Sequence, residues 1–324
     1  MSDKVRIGCI GCGGNAKGHM RGLMNVEDAR LVAVCDLVKE LAEGAAAEFK
    51  AKPYTDMNEM LDKEKPDAVY ISIPVHTHGA PELAVIERGL PFLVEKPVAR
   101  TMETARKIEK AVAKKGIHTA VGYQLRYTHG ANLAKEILKG KTIGMAVAKY
   151  WCGTGRGSKW TQQFEKSGGQ ILEQATHTID MLRYLVGEVE EVYNVAANRI
   201  LGNIDCPDVN SLTMKFANGA VGSMSTCWHL DQKDWSNANV IDVLFDANTL
   251  HFAGGKISVS PAIEGVDLEP KPTPTIDAAF VQAVKTNDFS GIKSSYADAV
   301  KTMAVSIAAI RSAETGKAVK VSSV

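Results

Sequence analysis

In the first third of the chain, apolar positions fall in short runs at residues 5–10, 31–35, 68–73, 92–94 and 119–121. Ile, Val and Ala fill both parities of several of these runs, as in strands buried on two faces of a parallel sheet. Between them the period lengthens to that of helices, at 41–49, 57–62, 80–88 and 101–114, with Gly89, Pro91 and Gly116 at helix ends. Strand and helix alternating at this spacing predict a doubly wound α/β domain over residues 1–122.

The pattern then changes. Helical periodicity covers 131–138 and 171–186, and strand-like runs dominate at 189–197, 211–216, 220–228 and 240–245. Asn218-Gly219 reads as a hairpin turn between two of these strands. Residues 270–274 are Pro-rich, and a last helix over 296–314 stops at Gly316. Residues 123–324 are therefore expected to form a second, α+β domain, with helices on one face of an open, largely antiparallel sheet.

Composition narrows the function classes. Of 324 residues, 45% are hydrophobic and 23% charged, which excludes a disordered or fibrous chain. Lys plus Arg number 38 against 37 Asp plus Glu, so no long-range field draws the chain to nucleic acid or an anionic membrane. No apolar stretch reaches the ~18 residues of a membrane helix, and Lys4 leads into the first strand without a signal-peptide pattern. Six scattered cysteines, with Cys9 and Cys12 in a strand and a glycine turn, predict free thiols and a cytoplasmic setting rather than a redox or metal centre.

The first strand runs directly into Gly11-Cys12-Gly13-Gly14-Asn15-Ala16, a G-x-G-x-x-A turn ahead of a helix. Gly11 permits the tight turn, Gly13 lets backbone approach a pyrophosphate, and the helix N-terminus offers free N–H groups. Asp36 closes the second strand, where a carboxylate accepts hydrogen bonds from an adenosine ribose. It repels a 2′-phosphate, which favours NAD, although Lys39 leaves NADP open. The fourth and fifth strands end in Pro74-Val75-His76-Thr77-His78 and Glu95-Lys96-Pro97. Both fall on the strand ends where open α/β sheets bind ligands. Further on, Glu173, His177 and Asp180 are spaced i, i+4 and i+7, which places them on one face of a continuous helix. On periodicity alone that face reads as the polar side of an ordinary amphipathic helix.

The glycine turn, the Pro-x-x-x-His segment, Glu95-Lys96-Pro97, and the Gly168-Gly169 helix with a carboxylate four residues before His177 resemble, in this order, the Gfo/Idh/MocA oxidoreductase family. The resemblance covers residues 4–187, with a weaker tail over 296–321. It implies a Rossmann domain followed by an open-sheet domain through which copies pair as homodimers or homotetramers. It also implies Lys96 as the active-site lysine and His177 as the proton-transferring histidine. Glu173 occupies a position where most members have Asp. Asp180 is implied to bind substrate or support the helix, and Arg126, Tyr127 and Trp160 to line the substrate site. Gln124, Pro74, His78 and Glu95 join Gly11, Gly13, Gly14, Asn15, Asp36 and Lys96 around the coenzyme.

The resulting expectation is an NAD-dependent dehydrogenase, without a metal, that moves hydride between nicotinamide and a secondary hydroxyl of a sugar, inositol or related polyol. Either Lys96 or His177 is the base. Two other readings stay open: a redox-neutral NAD-using glycosidase or lyase that oxidises a sugar carbon transiently, and a non-catalytic dinucleotide-binding regulator.

Overall fold

The computed structural model describes residues 4–153, 159–230 and 238–324. They form two compact units, the first of residues 1–122 with 274–300 and the second of residues 123–273 with 301–324.

The first unit alternates strand and helix: β1 (Val5–Ile10), α1 (Gly14–Met24), β2 (Ala29–Cys35), α2 (Lys39–Phe49), β3 (Lys52–Tyr54), α3 (Met57–Glu64), β4 (Ala68–Ile71), α4 (Ala80–Glu87), β5 (Phe92–Val94), α5 (Met102–Lys115) and β6 (Thr119–Val121). The sheet order is β3-β2-β1-β4-β5-β6, and every pair is parallel. The order reverses between β1 and β4, and ligands of open α/β sheets bind at the carboxyl ends beside such a reversal. Apart from the edge strand β3, the strands are largely buried; Ile7, Ala33, Val34, Val69, Ile71, Phe92 and Val94 have no exposed surface. Each fully buried aliphatic side chain contributes about 1.5–3 kcal/mol.

The second unit holds α6 (His129–Leu138), β7 (Ile143–Trp151), α7 (Phe164–Ser167), α8 (Gly169–Glu173), α9 (Thr176–Leu185), β8 (Val189–Ala197), β9 (Val209–Phe216), β10 (Val221–Cys227), β11 (Asn239–Phe245), β12 (Asn248–Ala253) and β13 (Lys256–Ser260). Its sheet runs β13-β12-β11-β7-β10-β9-β8-β14, where β14 is Val319–Lys320. All pairings are antiparallel except β7 with β10. Alternate residues Ala146, Ala148, Leu212, Met214, Ile241, Val243, Leu250 and Phe252 pack in one core with Ile179, Leu182 and Ala308 of the helices.

Two departures from the sequence pattern stand out. Strand β7, central in its sheet, carries Gly144, Ala146 and Ala148, small residues that give weak strand signals. Helix α10 (Ile276–Thr286) returns the chain to the first unit, so a single cut after residue 122 does not describe the contacts. Phe280 of α10 is fully buried, edge-on to Tyr70 of β4 at 5.6 Å. Helix α11 (Tyr296–Thr315) belongs to the first unit up to Val300 and to the second from Lys301.

Candidate active site

The glycine turn lies at the carboxyl end of β1. Gly11 has φ of +97°, and a Cβ there would overlap the Ser72 carbonyl, so no other residue fits. Gly13 and Gly14 are exposed with open space around them. Gly13 caps α1 without a side chain, which leaves the first-turn N–H groups free for an anion. Asn15 is exposed in that first turn, and Ala16 is buried beneath it. Asp36 does more than await a ribose. Its Oδ2 accepts from the Cys12 N–H at 2.8 Å and its Oδ1 from the Val38 N–H at 2.9 Å, so the carboxylate also fixes the turn. These features fit a dinucleotide: an open backbone cradle for the pyrophosphate and a carboxylate on the next strand. Cys12 is a buried free thiol, pushed up to about 12 by burial and then by Asp36 and Cys35, which keeps it protonated.

Sequence reasoning passed over the residue that organises the neighbouring strand end. His19 lies on the buried face of α1 with Ala16, Met20 and Leu23. Its Nε2 is 2.8 Å from Glu95 Oε1 and its Nδ1 is 2.7 Å from Asp277 Oδ1 of α10. Ionised carboxylates only accept, so both ring nitrogens donate and the ring is an imidazolium. Burial opposes that charge, but the bonds to Asp277 and Glu95 outweigh it and push His19 up to about 10. Glu95 Oε2 also accepts from the Lys96 N–H at 3.1 Å. Gly122 must be glycine here, since a Cβ would press into the Glu95 carboxylate. Glu95 was expected to touch the coenzyme; its carboxylate is instead directed inward, and the half-exposed Lys96 follows it in the chain. A charged residue on the apolar face of α1 was the available signal, but Asp277 lies 258 residues away.

His78, also expected at the coenzyme, is sealed in. Its Nδ1 is 2.6 Å from Glu82 Oε1, and the two side chains are 1% and 0% exposed. Glu82 in turn caps α4 through the Gly79 N–H at 2.6 Å. Pro74, half-buried, and the exposed His76 and Thr77 are the parts of this segment that face outward.

In the second unit the helix expected over 171–186 is broken. Helix α8 ends at Glu173 and α9 begins at Thr176, so Glu173, His177 and Asp180 do not share one continuous helical face. Two glutamines pin the break to the sheet. Gln170 Nε2 donates to the Cys227 carbonyl at 2.5 Å, and Gln174 Oε1 accepts from Trp228 Nε1 at 2.6 Å. Glu173 is buried and His177 half-exposed. The Tyr123 hydroxyl bonds Thr176 Oγ1 at 2.8 Å, and the Tyr123 ring meets His177 edge-on at 6.1 Å, which sets the imidazole plane. Asp180 points elsewhere. It takes a bidentate pair from Arg126 at 2.8 and 2.6 Å and a bond from Thr302 Oγ1 at 3.0 Å. Both members of that pair, expected at the substrate, are buried with each other. Tyr127 is buried as well, Gln124 is exposed, and Trp160 is half-exposed in a short helical turn.

Two stability experiments follow from this geometry. A histidine whose pKa rises on folding contributes fully below its unfolded value near 6.5 and loses that contribution as pH climbs through about 10. Between those limits the wild-type unfolding free energy is expected to fall more steeply with pH than that of His19→Gln; parallel curves would contradict the imidazolium. The facing groups are Glu95, Asp277 and the Tyr70 ring. Arg126→Ala strands a buried carboxylate and is expected to cost about 3–5 kcal/mol in denaturant unfolding, whereas a loss below about 1 kcal/mol would mean the pair is not structural.

Comparison with known proteins places this arrangement. A family model described as "Oxidoreductase family, NAD-binding Rossmann fold" matches residues 5–123, and one described as "GFO/IDH/MocA C-terminal domain" matches residues 131–251. Over 208 residues the chain is 31% identical to scyllo-inositol 2-dehydrogenase (NAD(+)) of Bacillus subtilis, covering 63% of this chain and 60% of that protein. The chain thus spans about three fifths of the length of this relative. Rhizopine catabolism protein MocA of Rhizobium meliloti is 24% identical over 324 residues, with 97% and 98% coverage. The WlbA dehydrogenase from Bordetella pertussis, solved in complex with NADH and UDP-GlcNAcA, has the same fold, with TM-score 0.83, 24% identity and 98% of each chain covered. With both units matched by models of one family, the chain belongs to the Gfo/Idh/MocA oxidoreductases, with an NAD-binding Rossmann domain.

Proposed function

We propose that this protein is an NAD-dependent dehydrogenase that transfers hydride between nicotinamide and a secondary hydroxyl of a sugar, inositol or related polyol. The observation that carries the reading lies within the first unit. The open glycine turn with Asp36 and the Glu95-Lys96 strand end occupy the same carboxyl edge of one parallel sheet. A coenzyme seated on the turn therefore runs along the edge that carries Lys96. The relatives' names supply the substrate class.

The bound nicotinamide supplies the hydride acceptor. The protein's task is to place the carbinol and manage its proton. Lys96 contributes an ammonium that donates to the substrate oxygen and stabilises the charge developing there. His177, edge-on to Tyr123, exchanges the hydroxyl proton as the general acid and base. Asp180 is committed to Arg126, so Glu173 is the carboxylate left to orient the imidazole. Arg126 and Asp180 act by holding α9, not by touching substrate. Lys96→Ala is expected to cut turnover by two or more orders of magnitude, about 3 kcal/mol or more in the barrier, while NADH titration stays close to wild type. A variant that retains most of its activity on a screen of inositols, hexoses and pentoses would overturn the role.

The open sheet face supports a homo-oligomer. Met145, Val147, Trp151, Tyr193, Val195, Val221 and Leu244 are each 38–57% exposed there. Leu244, Met145 and Val221 form one row across three adjacent strands. Contiguous exposed apolar surface of this kind marks association sites, and two such faces pair through a two-fold axis. Sedimentation is expected to give a dimer or tetramer, and Val147→Lys with Val195→Lys a smaller species; a monomeric wild type would contradict it. Six free, buried cysteines suit a reducing compartment, and we place the enzyme in the cytoplasm.

A further inference from the structure

Buried side-chain amides are nearly always hydrogen-bonded, and one that is not calls for an explanation. Asn239 is 5% exposed, and neither its Nδ2 nor its Oδ1 has a partner. Other core amides and hydroxyls of the same unit are linked in series. Asn194 Nδ2 donates to Asn210 Oδ1 at 3.2 Å, Asn210 Nδ2 to Thr226 Oγ1 at 3.2 Å, and Thr226 Oγ1 to Gln170 Oε1 at 2.6 Å. Asn239 thus leaves two N–H donors and two acceptor lone pairs unused in a place where that opposes folding.

Its position shows what can use them. Asn239 opens β11 directly opposite Tyr150 of β7. Residues opposite one another in an antiparallel pair project from the same face. By alternation that face also carries Ile241 and Val243, both fully buried, so it is the face covered by helices. Over this end of the sheet lies the pinned segment of residues 170–174, held by Gln170 on the Cys227 carbonyl and by Gln174, which accepts from Cys152 Sγ at 2.8 Å and from Trp228 Nε1. Glu173 is in that segment and His177 follows one turn later. Tyr150 registers the carboxylate: burial pushes its phenol up, and Cys152 and Glu173 push it further. The unpaired amide therefore lies on the helix-covered face, paired in register with Tyr150, whose phenol feels the Glu173 carboxylate.

We propose that Asn239 is a specificity-determining residue that binds two adjacent hydroxyls of the polyol, donating from Nδ2 to one oxygen and accepting at Oδ1 from its neighbour. A vicinal diol supplies an acceptor and a donor at that spacing, and a deoxy analogue does not. The inference rests on the polyol reading above.

The test replaces the amide with an apolar group of similar size, Asn239→Leu, and reads three quantities. The melting temperature of the free variant is expected to equal or exceed wild type, because an unused polar pair has been removed; a structural asparagine would lower it. NADH affinity by fluorescence titration is expected to be unchanged. With whichever of myo-inositol, scyllo-inositol, D-glucose and D-xylose the wild type oxidises, kcat/KM is expected to fall by about tenfold or more, mainly through KM. Discrimination between that polyol and its monodeoxy analogue is expected to shrink toward unity. Asn239→Ala gives the same kinetic outcome at smaller volume. Unchanged kcat/KM and discrimination in a folded variant would overturn the role, as would loss of folding in both variants. A wild type that oxidises none of the four would sink the polyol reading and this inference with it, a result distinct from an active wild type matched by an equally active variant.

Discussion

An imidazolium buried between two carboxylates is the constraint on which the first unit's site depends. His19 joins three elements distant in sequence: α1, which follows the glycine turn; the end of β5, from which Lys96 follows; and α10, which brings Asp277. Burying a charge is costly, and the cost is met here because both ring N–H groups are satisfied by ionised acceptors. The helix behind the glycine turn and the strand end that leads into Lys96 are therefore tied by one side chain. The remaining Glu95 oxygen takes the Lys96 amide, so the lysine's backbone is fixed as well.

The second unit solves a similar problem by different means. A continuous helix would carry Glu173, His177 and Asp180 past the sheet on one face. The break at residues 174–175 separates them, with Gln170 and Gln174 pinned to strand ends on either side of Glu173. Arg126 and Asp180 then anchor α9 from within the core, and Tyr123 sets the ring of His177 from its edge. Three charged groups expected at a ligand and found buried support their neighbours: Asp180 and Arg126 anchor the helix that carries His177, and Glu95 accepts from the Lys96 amide.

Features that depend on local chemistry were legible in the sequence. Gly11 must be glycine because of its own dihedral angle and one carbonyl across the turn. Asp36 follows from the end of one strand, and the strand–helix alternation from hydrophobic period alone. Features that depend on pairing across long separations were not. The His19–Asp277 bond spans 258 residues, and no local pattern announces it. Strand β7 was hidden because its buried side opens with Ala146 and Ala148, small enough for helices to pack closely but weak in strand preference, before Tyr150. The helix break was invisible because its cause lies in strand-end carbonyl, thiol and indole groups that only the folded sheet presents.

The charge state of His19 is the most direct measure of this account. In protein labelled with ¹⁵N-histidine, imidazole nitrogen shifts distinguish a ring protonated at both positions from either neutral tautomer, and His19→Gln assigns the signal. At pH 8 one histidine should show two protonated nitrogens and should lose a proton only as the pH approaches about 10. A neutral His19 at pH 8, with one nitrogen bare against a carboxylate, would contradict the clamp and the fixed strand end that follows from it.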